Sequence, residues 1–400
     1  MNDLAEPTTI PTDAELVARV HAIGDILRGN SAEGERNRRV VESSIAALTD
    51  AGLFKLAVPR RYGGYETSMK TLLDVTSAVA EYDGGTSWAV SLINVCNWTT
   101  GLYPVQAQDE VWGDNPDARV AGVFAPTAEA VKVDGGYRVT GKWYYNSGSW
   151  HADWAILGFP QTDDKGEVRD YSFALIPRSE LEFEDTWFVV GLRASGSNCL
   201  IAKDVFVPEH RILSATQANE GHCRNEFAPD EPLYRAAFQP VLVLVLIGPQ
   251  LGLARAALDI VRSKAESRRV HGTVYERQTD SVAFQLRMAK AAMTVDTAHL
   301  HAYRSAEAID RASRHGVYPG FEARAQVMAD TAWVAEHARE AIDMLLTAHG
   351  AGSFAENNPL QRIWRDSAVA GRHAFVTPDV RYEIFGKAML GVQDPVVPLV

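Results

Sequence analysis

Apolar positions recur with two different periods along the chain. From Glu15 to about Ala118 the spacing is helical. Val41, Ile45 and Leu48 stand at i, i+4 and i+7, and Gly52 is placed to stop that helix. The turn-rich stretch "VPRRYGGYE" (58–66) follows. Leu72, Val75 and Val79 begin a second amphipathic helix that ends at "DGG", and a third covers roughly 85–103. The period then drops to two. "AVKVDGGYRVTGKWYYNSG" (130–148) alternates and is cut by Asp134-Gly135-Gly136, a hairpin signature. "WAILGF", "YSFALI" and "LIAKDVFVP" are further strand-like runs. From Pro232 the helical period returns, and Val282, Leu286, Ala289 and Met293 mark one face of a long helix. "DSAVAGRHAFVTPD" (366–379) reads as helical around a central Gly-Arg-His. The polar segment 214–231 reads as a linking loop, and residues 1–12 as a loose tail. The expected order is helices, strands, helices, divided as 13–119, 120–213 and 232–400.

Composition narrows the function classes. The 400 residues carry a formal charge of −12, and such a chain repels phosphate backbones, which argues against nucleic acid. Cys96, Cys199 and Cys223 are an odd count without metal-like spacing, which suits a reducing cytoplasm. The first 20 residues hold acids and prolines rather than a basic head and an apolar core, so no signal peptide is expected. The longest apolar run, "PVLVLVLIGPQLGLA" from Pro240, reads as too short and too interrupted to span a bilayer.

Many catalytic signatures are missing. No GxGxxG follows a strand, and there is no phosphate-binding loop, HExxH, CxxC or GxSxG. His299 and His301 are two apart on a helix and point to different faces, so they do not form a metal site.

Four segments in order carry a likeness: "AGLFKLAVPRRYGG" (51–64), "GKWYYNSGSWHADWAI" (141–156), "TWFVVGLRASGSN" (186–198) and "DVFVPEHRIL" (204–213). With the helix–strand–helix order they resemble the acyl-CoA dehydrogenase superfamily, from about Ala32 to the C-terminus. The resemblance implies an α+β fold: an N-terminal helical domain, a central small β-barrel or sandwich, and a C-terminal four-helix bundle. It also implies a homotetramer with flavin at a subunit contact.

Two branches of that superfamily differ in chemistry. A dehydrogenase needs a carboxylate to remove a proton α to a thioester carbonyl. One family position for it lies eight residues past Asp366 and holds Ala374; the other lies on the first long C-terminal helix, where no acid stands between Glu231 and Asp259. The oxygenase components of two-component flavin-dependent monooxygenases instead resemble this chain at the same spot. Their pattern is Arg-Asp, Ala-Gly, then a His seven residues after the Asp, here Arg365-Asp366, Ala370-Gly371 and His373.

That resemblance implies reduced FMN or FAD and O2 as co-reactants, a C4a-(hydro)peroxyflavin, and hydroxylation of a small aromatic or related organic molecule. With no dinucleotide-binding fold, it implies a separate NAD(P)H:flavin reductase. Ser147 matches the hydroxyl that meets flavin N5–H, with Ser149 the near alternative, and His373 matches the residue that manages a proton. Trp187 is expected on the isoalloxazine and Arg193 on flavin phosphate or ring oxygens. Ser195 and Ser197 are expected on a cofactor-facing loop, and Gly371 where backbone approaches flavin. Arg269, or Arg268 beside it, is expected on the neighbouring subunit's pyrophosphate. Cys96, Asn97 and Trp98 are expected against the substrate, with Cys96 standing where phenol hydroxylases of the family often carry His. Two alternatives stay open: a dehydrogenase-like flavoenzyme acting on a CoA thioester, and a non-catalytic member of the fold.

Overall fold

The computed structural model describes residues 10–163, 165–392, 394 and 396–397. Of the tail read over 1–12, residues 1–9 lie outside the described residues.

Among the described residues five helices come first: α1 (Asp13–Asn37), α2 (Glu42–Asp50), α3 (Met69–Ala80), α4 (Gly84–Thr100) and α5 (Val105–Trp112). Side chains fix the starts of three of them. Thr12 caps α1 in a reciprocal box with Glu15, Ser68 caps α3, and Asp83 accepts the Thr86 N–H at 2.7 Å to cap α4. Each cap satisfies a backbone donor that the first helical turn leaves free. Sixteen of the 17 residues of α4 are buried, so α4 is a central rod of the core rather than a surface helix.

Eight strands follow among the described residues: β1 (Val120–Val123), β2 (Ala128–Val133), β3 (Gly136–Asn146), β4 (Trp154–Thr162), β5 (Val168–Pro177), β6 (Glu182–Glu184), β7 (Asn198–Pro208) and β8 (Ile212–Ser214). They form two four-stranded sheets, β1-β4-β5-β8 and β2-β3-β7-β6. The Asp134-Gly135 turn joins β2 and β3 as its sequence leads one to expect. Trp143, Val139 and Leu200 of one sheet pack with Leu157, Phe159 and Ala174 of the other. The β3–β7 register breaks between Trp143 and Asn146, where Tyr145 takes a left-handed φ of +68°. Such a bulge turns both Tyr144 and Tyr145 outward and swings the following residues back to the helices.

The link after β8 is not bare loop: it holds α6 (Ala215–Asn219). The remaining helices are α7 (Phe238–Leu244), α8 (Gly248–Lys264), α9 (Val282–His315), α10 (Phe321–His349), α11 (Pro359–Ala370) and α12 (Pro378–Leu390). By length and composition 238–267 is long and apolar enough to cross a membrane, but 83% of its apolar window is buried within this fold.

Two sequence expectations are corrected here. The apolar face of α9 marked by Val282, Leu286 and Met293 is not turned to the core: these residues are 60–67% exposed. The core face is the narrower row Ala291, Val295, Ala298, Ala302 and Ile309. Periodicity locates an apolar stripe but not what covers it. The segment around Gly-Arg-His is not continuous helix. α11 stops at Ala370, Gly371 is its C-cap, and a single 3₁₀ turn, Ala374–Val376, intervenes before α12. Gly371 has an ordinary φ of −74°; a Cβ there would meet Arg339 Cδ and Nε at 2.7 Å. Arg339 lies across Gly371, so a side chain there would have to displace it.

Candidate active site

The bulge in β3 delivers Ser147 to the seam between the strands and α4. Its Oγ accepts a hydrogen bond from the Trp88 indole N–H at 3.1 Å and lies 2.8 Å from Ser197 Oγ. Ser197 Oγ is in turn 2.7 Å from Ser195 Oγ. The three hydroxyls are buried, so each needs a partner and they find one another. A hydroxyl donates once and accepts twice. If protons run from Trp88 to Ser147, Ser197 and Ser195 in turn, Ser147 keeps one lone pair free to accept an N–H.

His373 closes the cluster from α11's end. Its ring centroid is 5.8 Å from that of Trp88 and 5.5 Å from that of Phe375. His373 Nδ1 accepts the Phe375 backbone N–H at 3.2 Å. In the neutral ring this assigns the proton to Nε2, leaving a donor. Burial, with the positive charge of Arg381 nearby, depresses the imidazole to about 4. At neutral pH it is therefore uncharged, with a hydrogen bond to give from Nε2.

Trp88 was not singled out from the sequence. The signal was available in physical terms: an indole N–H inside an almost wholly buried helix must find an acceptor, and Ser147 is one.

The other expected residues divide. Ser149 is buried and donates to Gly196 O at 3.2 Å, which braces the same loop. Trp187 is 7% exposed, with its N–H on Leu192 O at 3.0 Å. The exposed ring beside it is Tyr145, in edge contact at 6.0 Å between centroids. Arg193 is occupied structurally, giving Nε to Glu35 O at 2.9 Å and Nη1 to Val189 O at 2.7 Å. Arg269 pairs with Glu276 at 3.3 Å on the α8–α9 connection. Its neighbour Arg268 donates to His349 Nε2 and His349 O. That second polar group also contains Gln278 Oε1, His349 Nδ1 and Ser353 Oγ, all buried without a protein partner.

Cys96, Asn97 and Trp98 do not join the cluster as a polar set. Asn97 Nδ2 donates to Phe54 O at 2.9 Å and its Oδ1 accepts the Val120 N–H at 3.2 Å, so it ties α4 to β1. Trp98 donates to Leu233 O at 3.0 Å and stacks on Phe238. Both are fully buried and their polar groups are spent on backbone. Cys96 is buried against Gly122, and burial pushes its thiol up, the opposite of a reactive cysteine.

Residues 244–378 match the family model described as "Acyl-CoA dehydrogenase, C-terminal domain". The chain is 34% identical over 367 residues to the flavin-dependent monooxygenase oxygenase subunit HsaA of Mycobacterium tuberculosis, covering 92% of this chain and 93% of that one. It is 32% identical to the oxygenase component of an FADH2-dependent resorcinol hydroxylase from Rhizobium sp., covering 98% and 99%. Among solved structures, XiaF from Streptomyces sp., in complex with FADH2 and glycerol, superposes with a TM-score of 0.92 at 39% identity, covering 97% of this chain and 98% of that one.

Proposed function

Because the chain belongs to the oxygenase components of flavin-dependent monooxygenases, we propose that its own reaction is hydroxylation of a small aromatic molecule at the Trp88–Ser147–His373 cluster. Reduced flavin, when bound, supplies the electrons that activate O2. The enzyme is an oxidoreductase that takes reduced flavin and O2 and inserts one oxygen atom. A separate NAD(P)H:flavin reductase supplies the reduced flavin, in the cytoplasm.

The residues fit a flavin. Its ring carries an N5–H that needs an acceptor, and Ser147 has a lone pair to spare. The Asn146 carboxamide is buried with neither its oxygen nor its nitrogen partnered, so it offers a donor and an acceptor beside Ser147. Trp187 backs the site and Tyr145 supplies an outward aromatic face. Ser195 and Ser197 hold Ser147 in orientation. Gln278, His349 and Ser353, around Arg268, form a second polar patch suited to the nucleotide end of a flavin from another copy of the chain. His373 offers an Nε2 donor beside Trp88. Ala374 stands where a dehydrogenase base would be, so proton abstraction next to a thioester has no group to perform it.

The exposed row Val282, Leu286, Met293 and Leu300 on α9 supports association. A homotetramer joined along α9 accounts for a stripe that a single copy leaves in water. The division into a helical unit over 13–119, a β unit over 120–213 and a helical bundle over 232–400 belongs to the same reading.

The observation that carries it is the buried hydroxyl chain, joined through Trp88 to His373. The test supplies chemically reduced FMN or FAD and labelled O2 to the pure protein with a panel of phenols and heteroaromatics. One labelled oxygen atom in a product supports the reading. Consumption of O2 to H2O2 alone, across the panel and with both flavins, contradicts it.

A further inference from the structure

The serine chain sits on a strained loop, and the strain needs a cause. Leu192 is a non-glycine residue with φ of +52°, a left-handed conformation that a branched side chain rarely adopts. Its peptide groups are nevertheless fully engaged. Its C=O accepts both the Trp187 indole N–H and the Ser195 backbone N–H, each at 3.0 Å. Its N–H is taken by a side chain from far away in sequence: Asp366 Oδ1 at 2.6 Å.

Asp366 is 4% exposed and lies where three elements meet. It is on α11, and His373 lies just beyond that helix's end. Its Oδ2 faces Gly84, where a Cβ would approach to 2.9 Å, at the start of α4, which carries Trp88. Its Oδ1 holds the loop that carries Ser195 and Ser197. Beside it, Arg365 donates to Val190 O and pairs with Glu35 at 2.5 Å. The backbone approach is close enough to demand glycine at 191, where a Cβ would stand 2.2 Å from Arg365 O. The contacts close a ring: Asp366, Leu192, Ser195, Ser197, Ser147, Trp88, His373, and back through α11 to Asp366.

We propose that Asp366, seconded by Arg365, is a positioning residue that sets the distance between the hydroxyl chain and His373 by holding the Leu192 peptide in its left-handed conformation. The role assigned to Asp366 is to act through the Leu192 peptide rather than on a ligand. This rests on the functional reading above, but it makes a claim about the protein without cofactor, which can be tested alone.

The charge environment permits that role. Asp83 faces Asp366, with Arg362 and Arg365 on the other side. Burial first, and Asp83 second, push the Asp366 carboxyl up to about 7. Either protonation state keeps an oxygen to accept the Leu192 N–H, and so does an asparagine.

The experiment compares Asp366→Asn and Asp366→Leu with the parent chain by amide hydrogen exchange of the 187–197 segment, without flavin. Asp366→Leu is expected to exchange there at least tenfold faster, while α10 keeps its protection. Asp366→Asn is expected to match the parent, a rescue that loss of charge alone would not give. If Asp366→Leu does not fold, Arg365→Met serves in its place, with a smaller acceleration confined to the same segment. Anaerobic titration with reduced flavin then follows, with weakened binding expected in the leucine variant and parent-like binding in the asparagine variant. Unchanged exchange in a folded leucine variant, or equal acceleration in both variants, overturns the proposal. A parent chain that binds no reduced flavin but shows the exchange pattern overturns the functional reading and leaves the positioning role standing.

Discussion

Two polar clusters touch the same helix and have opposite uses. Near the middle and end of α4, Asn94, Asn97 and Trp98 spend their side-chain donors and acceptors on backbone partners: Leu53, Val90, Leu56, Phe54, Val120 and Leu233. One turn from its start, Trp88 reaches a chain of three hydroxyls whose partners are mostly one another. The first arrangement ties each side chain to backbone groups. The second is tied mostly to itself, and with protons running from Trp88 towards Ser195 it leaves one Ser147 lone pair unclaimed. Both are buried and polar. We read the kind of partner, backbone in one and neighbouring hydroxyls in the other, as what separates a fold-holding cluster from a candidate ligand site.

The comparison breaks most visibly at Trp98. Trp98→Ala removes a fully buried ring and orphans Leu233 C=O, and the expected loss is about 3–5 kcal/mol in denaturant unfolding. Parent-like stability would show that this cluster does not hold the fold.

His373→Ala is the converse probe. The chain is expected to stay folded, and product formation to fall on the order of 100-fold, with O2 still consumed and H2O2 released instead. Product and H2O2 are both measured per O2 consumed. An unchanged ratio would remove His373 from the site.

Acid titration sharpens the contrast through sign. The His373 pKa is depressed to about 4 in the folded chain, against about 6.5 unfolded. Its contribution to stability is present above pH ~6.5 and is lost as pH falls towards 4. Asp366 is raised to about 7, against about 3.9 unfolded. Its contribution is present below pH ~4 and is lost as pH rises through 7. The two slopes oppose between pH 4 and 7. Asp366→Asn should unmask a stability that rises with pH across that window, and His373→Gln one that falls. Parallel curves for both variants would contradict these environments.

The smallest expected effect is at Arg38–Asp185, a bidentate pair at 2.6 and 2.7 Å on the outer side of the loop. Asp185→Asn is expected to cost less than about 1 kcal/mol, with reduced-flavin affinity unchanged. A tenfold loss of affinity would extend the site to that edge.

The sequence was most legible where chemistry is local. Helix stops and the Asp134-Gly135 hairpin depend on short spacing, whereas Ser147 and His373 became candidates only through the family resemblance that the Ser-Gly and Arg-Asp motifs carry. It was least legible where a partner decides. Trp88 has the same local pattern as any tryptophan in a buried helix, and its role appears only with Ser147 opposite. Tyr145 was hidden because a bulge interrupts the strand's alternation. The outer face of α9 is as periodic as the inner one, so the pattern could not say which side meets the core. Asn97 and Trp98, expected against the substrate, make hydrogen bonds to distant backbone groups that no local pattern reveals.

The most direct test of the central claim is an anaerobic titration of reduced flavin onto the parent chain and Ser147→Val, read by flavin fluorescence. The account predicts saturable binding to the parent and about tenfold weaker binding to the variant, the effect of losing one hydrogen bond of about 1.4 kcal/mol. Equal affinity for both, with the variant folded, would contradict the assignment of the Trp88–Ser147–Ser197–Ser195 chain as the place where the flavin is held.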